Sequence, residues 1–261
     1  MTADATAFPR LAEVVAARME AALSPSLLPG GGEAAYELKF LIDEPKAREV
    51  EGWARRHLAL DPHADPALGD AYHIRSLYFD TPRLDVFQRS PSYRRRKFRL
   101  RRYGGEHVVF LERKTRSGDR VAKRRTAVAD VEAGLLEAGA ADRTWCGFWF
   151  QRSLQVRRLQ PACQVSYDRT AYLGPEAGVP LRLTLDRNIR CAPASGWAWG
   201  DGRGGRPLMP SAVILELKYR TALPALFKQL VEAAGLAPGP VSKYRLAVLA
   251  WGLDVVAREV G

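Results

Sequence analysis

Polar and apolar positions alternate with a period of two in short stretches along this chain, the pattern of half-buried strands. In Tyr36-Glu37-Leu38-Lys39-Phe40 the apolar residues share one face and Glu37 and Lys39 the other. Lys97-Phe98-Arg99-Leu100-Arg101 sets Phe98 and Leu100 opposite three cations. Val109 to Lys114 places Glu112 and Lys114 together, opposite Val109 and Leu111. Leu181 to Asp186 and Val213 to Lys218 repeat the scheme, with Arg182, Thr184 and Asp186 on one polar face and Glu216 and Lys218 on the other. Ile74 to Asp80 and Cys163 to Arg169 are further strand candidates. Gly104-Gly105, Ser117-Gly118-Asp119 and Asp186-Arg187-Asn188 read as the turns between strands.

A period near 3.6 marks helices between and around these strands. Residues 9–23 are amphipathic and are followed by Pro29-Gly30-Gly31-Gly32, so residues 1–32 read as a helix and linker ahead of the domain. Residues 44–60 begin after Asp43, a plausible N-cap, with Pro45 in the first turn. Segments 142–159, 222–234 and 243–256 also read as helical. The aromatic run Trp145, Phe148, Trp149 and Phe150 is expected to serve packing, as are Tyr78, Phe79 and Tyr103, although these last three could stack a base. Gly200 to Pro207 is Gly-rich but lacks a P-loop pattern and reads as a flexible connector.

Each polar strand face carries a pair or trio of ionised residues, often of both signs. Two architectures accommodate this. A plain sheet sends such faces to water; a barrel turns them into a lumen and covers its apolar exterior with helices. Charge sharpens the choice. The net charge is +11, and residues 89–125 alone hold fifteen basic and three acidic residues. One segment thus carries the whole excess, which calls for a polyanionic partner or a local counter-charge.

Composition is ordinary for a globular chain, with 47% hydrophobic and 26% charged residues, and this sets aside disordered and fibrous classes. No run approaches the ~20 apolar residues of a membrane span. The three cysteines, Cys146, Cys163 and Cys191, form no CxxC pair, and the N-terminus has no apolar leader, so a cytoplasmic protein is expected. His57, His63, His73 and His107 show no zinc-ligand spacing.

An ordered set of stretches then resembles a known family. It comprises Tyr36 to Phe40, Ser76 to Thr81, Lys97 to Tyr103, Leu111 to Lys114, Lys123 to Arg125, Tyr167 to Tyr172, Arg182 to Asp186, Leu215 to Lys218 and Ser242 to Tyr244. Together these resemble the VTC domain, the catalytic domain of polyphosphate polymerases within the triphosphate tunnel metalloenzymes, the wider group that includes CYTH domains. The likeness covers about residues 33–250, and residues 33–256 are taken as the domain. It implies an α+β fold: a closed antiparallel β-barrel tunnel of about eight strands with a charged lumen, covered by helices. The CYTH branch carries ExExK on its first strand; here the first position is Ala35, which leaves Glu37-x-Lys39, as in the VTC branch.

A triphosphate carries about four negative charges, and phosphoryl transfer asks the protein mainly to position and neutralise them. Strand alternation and the resemblance agree that Lys39, Arg99, Arg101, Lys114, Arg169, Arg182, Lys218 and Lys243 point inward and grip phosphates. The resemblance adds Lys123 or Arg124, and Ser242 and Tyr103 as substrate contacts. Glu37, Glu112 and Glu216 sit two residues before Lys39, Lys114 and Lys218. Oxygen ligands of this kind suit Mg²⁺ or Mn²⁺. The resemblance favours Glu216 as the metal ligand, while Glu37 and Glu112 either join it or hold lysines by ion pairing. The expected partners are ATP and polyphosphate rather than a specific nucleic acid, with a membrane-protein partner left open. The rival functions are a triphosphatase in the same tunnel and a non-catalytic module binding polyphosphate or nucleic acid through residues 89–125.

Overall fold

The structure, a computed structural model, describes residues 35–254 apart from 94, 119, 140 and 175–180; the expected N-terminal helix and linker lie outside the described residues. Along the chain run β1 (Ala35–Asp43), α1 (Glu44–His57), β2 (Ala59–Leu60), β3 (Ala71–Asp80) and the short α2 (Asp85–Gln88). A meander of β4 (Arg96–Tyr103), β5 (Val108–Ser117) and β6 (Arg120–Ala129) follows, then α3 (Gly134–Ala138) and α4 (Phe148–Val156). The chain ends in β7 (Gln160–Leu173), β8 (Arg182–Pro193), β9 (Arg206–Pro207), β10 (Ala212–Tyr219), α5 (Ala225–Ala233) and α6 (Lys243–Ala250). Asp43 caps α1 as its sequence suggests, with Oδ1 accepting from the Lys46 amide at 2.8 Å.

Eight strands pair antiparallel in the order β7-β3-β4-β5-β6-β1-β10-β8, and β8 pairs again with β7, so the ladder returns on itself as a ring. The seam between β1 and β6 is the shortest of these pairings, with two residue pairs, Ala35 opposite Val121 and Tyr36 opposite Arg120. In an α+β arrangement of this kind, the faces left outside the ring need cover. Phe40, Leu183, Leu185, Leu215 and Leu217 all point outward under α1 and α5, where Val50, Ala54, Phe227 and Leu230 complete a buried cluster. On the other side Leu77, Phe79, Phe98, Leu100 and Leu111 meet Phe150 and Leu154 of α4. The aromatic run before and within α4 is therefore packing: Phe150 is fully buried, edge-on to Phe79 at 5.8 Å and Phe98 at 6.3 Å.

Three expectations are corrected. Asp186-Arg187-Asn188 is not a turn but lies inside β8. There Asn188 adopts φ 51° and the pairing with β7 slips between Ser166 and Asp168, the signature of a β-bulge. Second, α6 does not cover the exterior. It lies against β7, and its Tyr244, Ala247 and Val248 join Cys163, Val165, Ile189 and Cys191 in the buried core. Those strand residues share the inward parity of Tyr167 and Arg169, so the interior is polar along part of its length and filled by an apolar helix along the rest. Third, Gly200 to Pro207 is pinned to the sheet: the Gly200 carbonyl accepts from Arg75 at 3.1 Å and the Gly202 carbonyl accepts from Ser166. Among the described residues, no helix is long and apolar enough to cross a membrane.

Truncating Phe150 to Ala should leave an aromatic-sized void under the β3–β4 wall. The expected loss is about 3–5 kcal/mol of unfolding free energy, read from urea denaturation; a loss below about 1 kcal/mol would show that α4 is not structural cover.

Candidate active site

Strand parity carries Glu37, Lys39, Lys97, Arg99, Arg101, Glu112, Lys114, Lys123, Arg125, Arg169, Asp186, Glu216 and Lys218 into the ring, because side chains two apart share a face. They do not form a random mixture. Each carboxylate gathers cations from other strands or from α6.

Glu112 is the most heavily loaded. It is 1% exposed and takes Arg99 Nε on Oε2 at 2.6 Å, with Arg101 Nε at 3.9 Å. Lys123 and Arg125 approach its other oxygen, Arg125 at 3.4 Å. Burial would raise this carboxyl, but Arg99, Lys123, Arg101 and Arg125 overwhelm it and hold it well below the usual carboxylate range. Glu37 accepts from Lys114 at 2.5 Å, and Glu216 pairs with Lys39 at 3.0 Å. Asp186 receives Arg169 in a two-pronged contact at 2.6 and 2.8 Å and Lys243 of α6 at 2.5 Å, which brings it to about 2 against the pull of burial.

The tyrosines knit these groups together. Tyr167 accepts from Arg101 at 3.0 Å and lies under the Lys243 ammonium, 4.4 Å from the ring centre. Burial pushes its phenol up to about 12. Burial also acts to raise Tyr103, but Arg125 and Arg101 reverse that and bring it down to about 6. Arg101 donates to the Tyr103 hydroxyl at 3.4 Å, so Tyr103 serves here as a partner for guanidinium groups. Tyr78 accepts from Arg99 at 3.1 Å and stacks on Tyr244, whose hydroxyl donates to buried Asp80. That last contact anchors α6, so that Ser242, its N-cap, accepts from Lys97 at 2.7 Å and Lys243 reaches Asp186.

The ring thus brings together most of the residues that the sequence singles out: Lys39, Arg99, Arg101, Lys114, Arg169, Lys243, Lys123, Ser242, Tyr103, Glu37, Glu112 and Glu216. Lys218 faces Glu37 across β1 and β10. Arg182 shares this inward face but is drawn to Asp61 and the Tyr72 hydroxyl, both at 2.8 Å. Arg124 is not among them. It sits on the opposite face of β6, with its guanidinium 4.3 Å from the Trp149 ring on α4. Its neighbour Arg125 occupies the interior position instead. The signal was available, since Arg125 is two residues after Lys123 and must share its face. Asp186 and Tyr167 were missed as site residues because their role depends on Lys243 arriving from a distant helix.

Glu112 is already ion-paired to four cations and is a poor metal ligand. Glu37 and Glu216 share the inward face of adjacent strands, and Thr184, directly opposite Glu216 on β8, has a buried hydroxyl oxygen with no hydrogen-bond partner. Among the described residues, no group of three His, Cys, Asp or Glu side chains converges as a metal cage. One or two carboxylates that share an ion with phosphate oxygens and water are what Mg²⁺ or Mn²⁺ ordinarily accepts. The residues therefore fit a divalent ion at Glu216, with Glu37 beside it.

The VTC domain family matches residues 34–251, most of the chain. This chain belongs to the VTC domain family. A solved structure from Bacillus halodurans, described as a candidate adenylate cyclase, aligns with a TM-score of 0.51 at 15% identity, over 81% of this chain and 95% of that one. A candidate adenylyl cyclase from Hippeastrum, described as having a dominant triphosphatase activity, gives 0.47 at 16% identity over 84% and 96% of the two chains. PH1819 from Pyrococcus horikoshii gives 0.45 at 15% identity over 84% and 99%. The Bacillus likeness is one of fold. No curated protein matches.

Two predictions come from the electrostatics. Replacing Glu112 by Gln leaves four cations facing one another and should cost about 3–5 kcal/mol. Tripolyphosphate, by supplying the missing negative charge, should restore part of the lost melting temperature; no greater shift than in the parent protein would contradict the assigned balance. The second concerns protons. Burial, helped by nearby cations and opposed by Glu112, lowers Lys123 to about 7, and burial lowers Lys243 to about 8 against Asp186. The unfolded chain then binds more protons than the folded one, so these groups make the unliganded protein more stable as pH rises from about 7 towards 10. A bound polyanion favours the ammonium forms, so tripolyphosphate binding at pH 8 should take up about one proton. Calorimetry in buffers of different ionisation enthalpy measures this; zero uptake would refute it.

Proposed function

We propose that the chain is an ATP-dependent polyphosphate polymerase whose ring acts as a closed tunnel, transferring the terminal phosphoryl group of ATP to the end of a phosphate chain. The observation that carries this reading is the condition of the interior carboxylates. Glu37, Glu112, Asp186 and Glu216 are each locked onto cations and held below the ordinary carboxylate range. Such groups are weak bases. Of the histidines, His73 bonds Asp168 on the outer face at 2.7 Å, and exposed His63 bonds Asp61, the partner of Arg182, at 2.9 Å. Engaged in this way, the four carboxylates are poorly suited to deprotonating water. A chain-end phosphate oxygen is already anionic and needs only to be held in line.

The chemistry follows from the residues. Arg99, Arg101 and Arg169 present planar donors to phosphate oxygens and stabilise the charge that develops on the transferring group. Lys39, Lys114, Lys123, Lys218 and Lys243 supply further neutralisation along the wall. Lys39, Lys114, Lys123 and Lys243 must each be drawn from a resident carboxylate, so substrate binding is an exchange of anions, and until then the carboxylates balance the cations. Glu216, with Glu37, would hold a Mg²⁺ or Mn²⁺ ion, which would supply charge neutralisation to the phosphates.

Phosphorus NMR of the protein with ATP, Mn²⁺ and a short phosphate primer tests the reading. Interior-chain phosphate should grow together with ADP. Orthophosphate without chain growth would replace the polymerase with a triphosphatase, and no turnover with any metal would leave a binding module. Glu216→Gln should abolish metal-dependent turnover while tripolyphosphate still binds. Arg99→Ala with Arg101→Ala should weaken nucleotide binding by about tenfold or more, the scale of lost charged hydrogen bonds; unchanged affinity would remove both from the site.

A further inference from the structure

The outside of the same wall carries a second concentration of positive charge that the interior chemistry does not use. Arg113 and Arg124 stand directly opposite each other on β5 and β6, both on the outward face. Like charges so placed weaken a sheet. Both guanidinium groups turn to the Trp149 ring of α4, Arg124 at 4.3 Å and Arg113 at 5.8 Å from its centre. Arg96, at the start of β4, and Arg157, just after α4, converge on one backbone oxygen, that of Ser92, at 3.4 and 3.1 Å. The two pairs lie close enough to repel: burial first, and then Arg124, Arg96 and Arg157, hold the Arg113 guanidinium below the usual arginine range. Burial and Arg96 act on Arg157 in the same direction. Helix α4 itself contributes no acidic residue to offset them.

We propose that Arg96, Arg113, Arg124 and Arg157 form an exterior docking face for a long inorganic polyphosphate chain, separate from the interior site. Two observations select this occupant. The face is a cluster of planar donors with no local counter-charge among the groups that act on Arg113, which suits an extended polyanion. The aromatic rings beside it are already taken. Trp149 has two guanidinium groups over it and donates its ring N–H to Thr126 at 2.9 Å, and Tyr93 carries Arg157 over its ring at 5.7 Å. Single-stranded nucleic acid gains much of its affinity by stacking bases on free aromatic faces. This face offers guanidinium edges instead, and a phosphate chain has no bases to stack. The proposal takes from the polymerase reading only the identity of the polyanion.

The test is a binding measurement without turnover, on the full chain, with three probes: long-chain polyphosphate, tripolyphosphate and a single-stranded DNA oligonucleotide of equal charge to the long chain. Arg113→Ala with Arg124→Ala should weaken long-chain binding about tenfold and lower its salt slope by about two. Tripolyphosphate affinity should not change. The melting temperature should hold or rise, since a repulsive pair has gone. Arg124→Ala alone, at an exposed position, gives the same test in milder form should the double variant be poorly folded. The interior variant Arg99→Ala with Arg101→Ala should show the reverse pattern, losing tripolyphosphate while keeping the exterior share of long-chain binding. Long-chain affinity unchanged in both exterior variants would overturn the proposal. So would DNA that binds this face as tightly as the long chain and is lost in the same variants. Should the NMR experiment show no chain growth while the exterior variants still lose the long chain, the polymerase reading would fail and the docking face would stand.

Discussion

The buried carboxylate of Glu112 is the constraint around which the basic wall is built. Arg99, Arg101, Lys123 and Arg125 lie within its reach, on the strands to either side. Without a negative charge at that point, β4, β5 and β6 could not bring so many cations onto one inward face. The cost of taking these ions out of water is large, and attraction in a low-dielectric interior offsets it only when every partner is placed. The same logic recurs at Glu37, Asp186 and Glu216. The interior is thus a network of mutually compensating ion pairs, and under the proposed function those same pairs are what a polyanionic substrate exchanges with.

Helix α6 is the second organising element. It brings Lys243 to Asp186 and Ser242 to Lys97, and it is held by the Tyr244 contact to Asp80 and the stacking on Tyr78. Tyr78 in turn bonds Arg99. A run of contacts therefore links the α6 anchor to Arg99, two residues along β4 from Lys97. The apolar half of α6 closes part of the interior with hydrocarbon, which confines the charged half to a defined stretch.

Much of this could be read from the chain before any coordinates. Strand parity is a local rule, and it placed Lys39, Arg99, Arg101, Lys114 and Arg169 inward because each strand is regular over those residues. It failed where regularity fails. Asn188 favours a left-handed backbone, and that preference serves a bulge as well as a turn, so the sequence Asp186-Arg187-Asn188 could not distinguish the two. Arg124 and Arg125 differ only in register, and strict alternation from Lys123 resolves them. The entry of α6 into the ring was not legible at all. Its few apolar residues pack equally well on either side of a sheet, and only the long-range contacts of Tyr244 and Lys243 decide.

The short seam between β1 and β6 has a consequence for how the molecule is made. Strands β3 to β6 are largely neighbours in sequence, but β1 finds its main partner only in β10, near the end of the chain. Long-range pairing of this kind is slow to form. On a ribosome, the meander carrying residues 89–125 emerges well before Asp186, Glu216 and Lys243 exist to complete the interior. A growing chain therefore presents an open polycationic sheet to its surroundings, with Glu112 the one acid on its three strands to temper that charge. Ring closure turns that charge inward, where Lys114 of the meander meets Glu37 of β1.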